Sequence, residues 1–368
     1  MRKSLLTKVA MIAMVVAILV TGCQPAATSA PSAAPATEAG ATEPATQAPA
    51  TSAEQPYFAF VTAPVGVNEF TKLGVTGLEV SGEKWNARTK LMETSASDPT
   101  ASEEAIQDAV ADNATIVIVF GYEYNDMITR IAPTAPDTQF LIVDQCIDNP
   151  PANVHCATSL EYQAAFLIGV EAAMLTETNH VGVIGALDIP FLHRYTDAFA
   201  QGAQYINPDI IVDIRWVGGD NPFSDPVRAK QQALALASAG ADQIFAGAAA
   251  GNMGIFEAAQ ETGFYTYGVD VTTQCALAPG FVVDSLLKHA DVEMEKSIDA
   301  IMEGTATEPT TVYGLESGGI GTVAQLPGDQ SATQCLIAGH PDVIQRVNEV
   351  AQQIIDGTIA LQDPMFQQ

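Results

Sequence analysis

The chain has 368 residues, with 15 Lys and Arg against 43 Asp and Glu, for a net charge of −28. That acidic balance argues against nucleic acid and against adsorption on an anionic lipid surface. The length allows two domains once a removable N-terminus is set aside.

Arg2 and Lys3 precede an apolar stretch at 5–20, and Val20-Thr21-Gly22-Cys23 follows. An ordinary signal peptide or a single anchor helix would share much of this pattern. Small residues directly before a cysteine resemble a bacterial lipobox instead. That resemblance implies a lipoprotein signal peptide over 1–23, with Cys23 as the lipid-bearing first residue of the mature chain. The protein would then be extracytoplasmic and tethered to the cell membrane by acyl chains alone. Residues 24–55 are almost wholly Ala, Thr, Pro, Ser and Glu. They lack the apolar bulk to order themselves and read as a disordered spacer. The folded part begins near Tyr57.

Beyond it, short apolar runs bounded by turn residues occur at 57–62, 116–120, 140–143, 181–184, 210–214, 243–246, 265–269 and 281–283, with a weaker one at 311–313. Continuous rather than alternating apolar runs suit strands buried on both faces of a parallel sheet. Helical periodicity fills the gaps at 160–175, 194–205, 225–239, 255–262, 291–302 and 341–355. Thr100-Ala101-Ser102-Glu103 reads as a capping box for a further helix. The class is α/β throughout. Nine strands are many for one domain, so two lobes are expected. The Pro-rich stretch 148–153 is a candidate hinge. The segment 244–270 is a complete strand, glycine turn, helix and strand, with Gly251 and Asp270 at the two strand ends that would face a ligand crevice.

Cys146, Cys156, Cys275 and Cys335 make an even number in an exported chain, which points to two disulfides. Cys146 and Cys156 bracket the Pro-rich stretch. Pairing them is the best of the three connectivities and leaves Cys275 with Cys335; four free thiols are the alternative. No GxSxG, HExxH or P-loop lysine motif occurs, and the five histidines match no metal-ligand spacing. No catalytic residue, metal or cofactor is assigned, and an enzyme is not expected.

Polar or aromatic residues recur where strands end: Asn68-Glu69-Phe70-Thr71, Tyr122 to Asp126, Asp188 to Phe191, Gly247 to Gly251, and Asp270. Parallel strands place such loops on one side of each sheet. There they could offer rings for stacking and carboxylates for hydroxyl groups. Lys288 follows the expected strand at 281–283. A lysine can donate up to three hydrogen bonds to ligand acceptors, or it can simply pair with Asp284 or Asp291 at the surface.

In order and spacing, several segments resemble one family. They are Phe70-Thr71-Lys72-Leu73-Gly74-Val75-Thr76-Gly77-Leu78, Phe120-Gly121-Tyr122 through Asp126, Val181-Gly182-Val183-Ile184-Gly185-Ala186 with Ile189-Pro190, Tyr267-Gly268-Val269-Asp270, and Asp284-Ser285-Leu286-Leu287-Lys288. The family is that of the basic membrane proteins and purine nucleoside receptor lipoproteins, substrate-binding proteins of ABC importers. The resemblance implies a type I periplasmic-binding fold, two Rossmann-like lobes joined by a three-crossover hinge that closes on a ligand. The lobes are expected at 56–150 plus 275–310 and at 151–274 plus 311–368. It further implies a monomer that binds a nucleoside-like ligand and delivers it to ABC permease subunits.

By the same resemblance Phe70 stacks on one face of a base, and Phe191 or Tyr195 stacks on the other. Asp126, Asp270 and Lys288 would hold the ribose hydroxyls. Two departures put the identity of the base in question. The family's paired aspartates before the Phe are replaced by Val67-Asn68-Glu69, and its Asn after the Phe is Thr71. A sugar-binding protein of the same fold would keep the carboxylates and the lysine with less use of stacking. An exported nucleoside-acting enzyme would need a placed acid, base or metal. A surface sensor would keep the fold without transport.

Overall fold

The computed structural model describes residues 55–94 and 98–367. Cys23, the expected signal peptide and the expected spacer up to residue 54 lie outside the described residues. No helix among the described residues is long and apolar enough to cross a membrane.

The first half of the chain lays down β1 (Tyr57–Thr62), α1 (Glu69–Lys84), β2 (Arg88–Glu93), α2 (Pro99–Ala111), β3 (Ile116–Phe120), α3 (Asn125–Ile131), β4 (Gln139–Asp144) and β5 (Val154–Ser159). Then come α4 (Glu161–Leu175), β6 (His180–Gly185), α5 (His193–Ile206), β7 (Ile211–Trp216), α6 (Pro226–Ala239), β8 (Gln243–Gly247), α7 (Asn252–Thr262), β9 (Tyr265–Gly268) and β10 (Val282–Lys288). The remainder holds α8 (Ala290–Met302), β11 (Thr310–Tyr313), β12 (Ile320–Thr322) and α9 (Pro341–Ile355).

Two six-stranded sheets result, in the orders β11-β5-β4-β3-β1-β2 and β12-β10-β9-β8-β6-β7. Every pairing is parallel except β10 with β12. The inner strands β1, β3, β6 and β8 are buried at every residue. This is the signature of strands covered by helices on both faces, and it explains their continuous apolar runs.

The lobes do not divide where the sequence placed them. Strands β5 and β11 complete the first sheet, and β10 and β12 belong to the second. The chain therefore crosses between lobes at Leu160, at His289 and between Tyr313 and Ile320, not at 150/151, 274/275 and 310/311. Helix α8 packs on α1 and β4 of the first lobe, which fixes the second crossing just after Lys288. The stretch 148–153 is not a hinge, because it joins β4 to β5 within one sheet. The third crossing touches the other two: Leu160 donates its backbone N–H to Tyr313, and His289 donates to Gly319.

Two local expectations also change. Helix α2 begins on Asp98, whose side chain accepts from the Ala101 N–H, with Pro99 at the first helical position. The box at Thr100 is therefore already inside the helix. Strand β10 is longer than its apolar run and ends on Lys288 itself. Its buried Asp284 is satisfied by the N–H groups of Val323, Ala324 and Ser285. Both expected disulfides are formed, Cys146–Cys156 and Cys275–Cys335.

Candidate functional site

A cavity of about 540 Å³ lies between the lobes, beside the crossings. That is within the roughly 300–1,000 Å³ of pockets for drug-sized ligands. Every wall is built at the carboxyl end of a parallel strand, where the chain turns towards a helix.

On the first lobe, β1 leads to Asn68, whose side chain caps α1 by accepting from the Phe70 N–H at 3.1 Å. The cap sets Phe70 in the first helical turn, and its ring packs on Phe120 at 5.0 Å. The Thr71 hydroxyl donates to the Asn68 carbonyl at 3.0 Å, so it is largely spent on the backbone. Strand β3 leads through Gly121, whose φ of 100° suits glycine, to Tyr122 and Glu123. Strand β4 ends on Asp144.

The second lobe contributes Phe191 and Tyr195 after β6, Phe223 after β7, Gly247 and Ala249 after β8, Asp270 after β9, and Lys288 at the end of β10. Tyr122 and Phe223 meet across the lobes with ring centroids 6.4 Å apart.

Asp144 and Asp270 occupy matching places in the two sheets, and both sit at positive φ, 92° and 73°. Such backbone costs on the order of 1–3 kcal/mol per residue and persists where the surroundings enforce it. Both are buried and line the cavity.

Lys288 is fully buried, donates to Asp144, and donates to Glu161 at 2.6 Å. Its Nζ lies 5.1 Å from the Phe70 ring and 5.7 Å from the Phe191 ring. Burial opposes its charge, but the Asp144 and Glu161 carboxylates outweigh burial and hold its pKa well above the usual lysine value. Burial raises the Asp144 carboxyl, and Lys288 pulls it part of the way back. Burial also pushes Asp270 up to about 7 against the pull of Lys288. Glu123 is likewise raised to about 7 by burial.

Of the residues singled out from sequence, the structure gathers Phe70, Thr71, Phe191, Tyr195, Asp270 and Lys288 around this one cavity. Asp126 is not among its walls: it lies exposed in the first turn of α3. Gly251 also stands apart from it, with an ordinary helical φ of −62°. A Cβ there would meet only ordinary contacts, the nearest at 3.4 Å. The left-handed residue of that turn is Ala249, at φ 50°.

Sequence reading missed Asp144 and Phe223; Tyr122 and Glu123 lay within a strand-end segment it singled out, but the role there was given to Asp126. Asp144 closes an apolar strand just as Asp270 does, and that repeat was the available signal. Phe223 sits in a loop without periodicity and carries no such mark.

A family model described as "ABC transporter substrate-binding protein PnrA-like" matches residues 59–357. The chain is 27% identical over 327 residues to the "ABC transporter nucleoside-binding protein BmpA" of Lactococcus lactis, covering 82% of this chain and 88% of that one. It is 27% identical over 260 residues to basic membrane protein A of Borreliella burgdorferi, covering 69% and 75%. Among solved structures, an ABC transporter solute-binding protein from Aeropyrum pernix superposes with a TM-score of 0.73 at 20% identity, over 85% of this chain and 94% of that one. That last likeness speaks for the fold: two lobes of parallel sheet in the type I periplasmic-binding arrangement.

Proposed function

We propose that this chain, which belongs to the family of PnrA-like ABC transporter substrate-binding proteins, is an extracytoplasmic lipoprotein that binds a nucleoside-like molecule between its lobes and hands it to an importer. The observation that carries this reading is the composition of the interlobe cavity. It combines aromatic rings from both lobes with acceptor carboxylates and one lysine at its floor. A planar base would lie against Phe70 from the first lobe, with Phe191, Tyr195 and Phe223 as the rings available from the second. Base–aromatic stacking contributes roughly 1–3 kcal/mol per base. Hydroxyl groups of a ribose would donate to Asp270 and Asp144 and accept from Lys288.

The name of the Lactococcus relative states nucleoside binding for that protein, and the shared family supports the same class here. Lipid anchoring rests on the sequence around Cys23. Binding is closure of two lobes, with no bond made or broken.

The cavity's charge narrows the ligand further. Glu123, Asp144, Asp220 and Asp270 line it against the single cation Lys288. Above about pH 7, where Glu123 and Asp270 are ionised, an anionic ligand would meet like charge in a site of low dielectric. Nucleosides are therefore expected to bind and nucleoside monophosphates to be refused.

A thermal-shift screen of nucleosides, free bases, nucleotides and sugars tests this directly. Stabilisation by a nucleoside class is expected. Stabilisation by pentoses or hexoses alone would make this a sugar-binding protein of the same fold, and product analysis after incubation would expose any hydrolase.

A further inference from the structure

Behind the cavity, Lys288 is the last member of a chain of charged groups, buried from Arg194 onward, that begins far away in sequence. Asp363 grips Arg194 with both oxygens: Nε donates at 3.0 and 3.1 Å and Nη2 at 2.5 Å. The other end of the same guanidinium donates through Nη1 to the Ser159 carbonyl at 3.0 Å and to Glu161 Oε2 at 3.1 Å. The second oxygen of Glu161 then accepts from Lys288. Arg194 and Glu161 are buried, and neither they nor Asp363 line the cavity. The ammonium has three N–H bonds. Asp144 and Glu161 take two, which leaves one for the cavity.

We infer that Arg194, oriented by Asp363, is a positioning residue for ligand binding: it fixes Glu161 so that Lys288 keeps its third N–H directed at the ligand. The inference rests on the interlobe cavity being the ligand site, as proposed above. Its geometry depends on the planar fork of arginine, which holds Asp363 along one edge and the first crossing along the other. A lysine at 194 keeps the charge but cannot span both. If Arg194 acted only as a counter-charge, Arg194→Lys would be harmless.

The test uses Arg194→Lys, Asp363→Asn and the double variant. One readout needs no ligand: the rate of reductive dimethylation at Lys288, followed by peptide mass spectrometry, with Lys84 and Lys230 as internal controls. Labelling of Lys288 is expected to speed up about tenfold in each single variant, because the fork geometry is lost, while the control lysines stay unchanged. The second readout is calorimetric affinity for adenosine and guanosine. Each single variant should weaken it by about tenfold, and the double variant should be no worse than the weaker single one, since both residues act through one contact. Unchanged Lys288 labelling, or faster labelling with unchanged affinity, overturns the inference. Additive losses in the double variant do so as well. If the wild-type protein binds no nucleoside, the function proposed above falls, while the labelling still decides whether Arg194 and Asp363 hold Lys288.

Discussion

Lys288 and Asp144 join the two sheets at their carboxyl edge: the last residue of β10 in one lobe donates to the last residue of β4 in the other. Both groups are buried and both face the cavity. The pair therefore serves as a tie between lobes and as part of the floor on which a ligand would rest. The cost of burying these charges falls on the fold.

Breaking that tie from one side should be severe. Asp144→Ala leaves Lys288 with Glu161 alone, and Lys288→Met leaves two buried carboxylates with one cation fewer. Loss of one partner of a buried pair typically costs about 3–5 kcal/mol. Urea denaturation of each variant should show this. The double variant Asp144→Asn/Lys288→Met should regain part of the stability and none of the ligand affinity. Full recovery of affinity would remove both residues from the site.

Asp270 gives a pH-dependent expectation. Its folded pKa, about 7, stands above the ordinary value of 3.8. The folded state therefore holds a proton that the unfolded state has released between those values. Stability from this group is lost as pH rises from about 4 to 7 and changes no further above that. A neutral Asp270→Asn should match the wild type near pH 4. It should become more stable in the ligand-free state by up to about 4 kcal/mol at pH 8, while its nucleoside affinity collapses. Thermal midpoints at a series of pH values check the first part, and calorimetry checks the second.

The ring of Phe70 is half-buried in the cavity wall and supported by Phe120. Phe70→Ala should reduce nucleoside affinity by roughly five- to 150-fold, the equivalent of about 1–3 kcal/mol for one stacked base. Phe70→Leu should restore packing without restoring affinity. Phe223→Ala is expected to act in the same direction from the other lobe. A variant at 70 that binds as well as the wild type would place the base elsewhere.

The two disulfides should differ in worth. Cys275 and Cys335 are 60 residues apart, and Cys146 and Cys156 are 10 apart. By loop entropy the first contributes about 4 kcal/mol and the second about 3. Cys335→Ser should lower the denaturation midpoint more than Cys156→Ser, each measured with its freed partner also replaced by serine.

Much of the fold could be read from the chain because the inner strands are covered on both faces and had to be apolar throughout. What escaped was polar or short. Strand β2, Arg88 to Glu93, is an exposed edge with almost no apolar face. Strand β5 carries His155 and Thr158, and β12 has three residues. Missing β5 and truncating β10 moved the lobe boundaries, since those strands flank two of the three crossings.

The site was legible where a residue type was unusual for its place. Lys288 and Asp270 stood out; Asp144 and Phe223 did not. Asp126 misled because it follows a strand end closely, yet α3 starts at once and turns it to solvent. Gly251 misled because Ala249 takes the strained position. Gly254 serves packing instead: a Cβ there would lie 1.8 Å from the Pro226 carbonyl oxygen of α6.

Each sheet takes an edge strand, β11 or β12, from beyond Met302. A growing chain that has emerged only as far as α8 thus holds two unfinished sheets, each with an inner strand still bare along one side. Neither lobe can close its sheet while the last part of the chain is still being made. In the exported protein proposed above, both sheets would thus lack their last edge strand until the C-terminal part of the chain has been made.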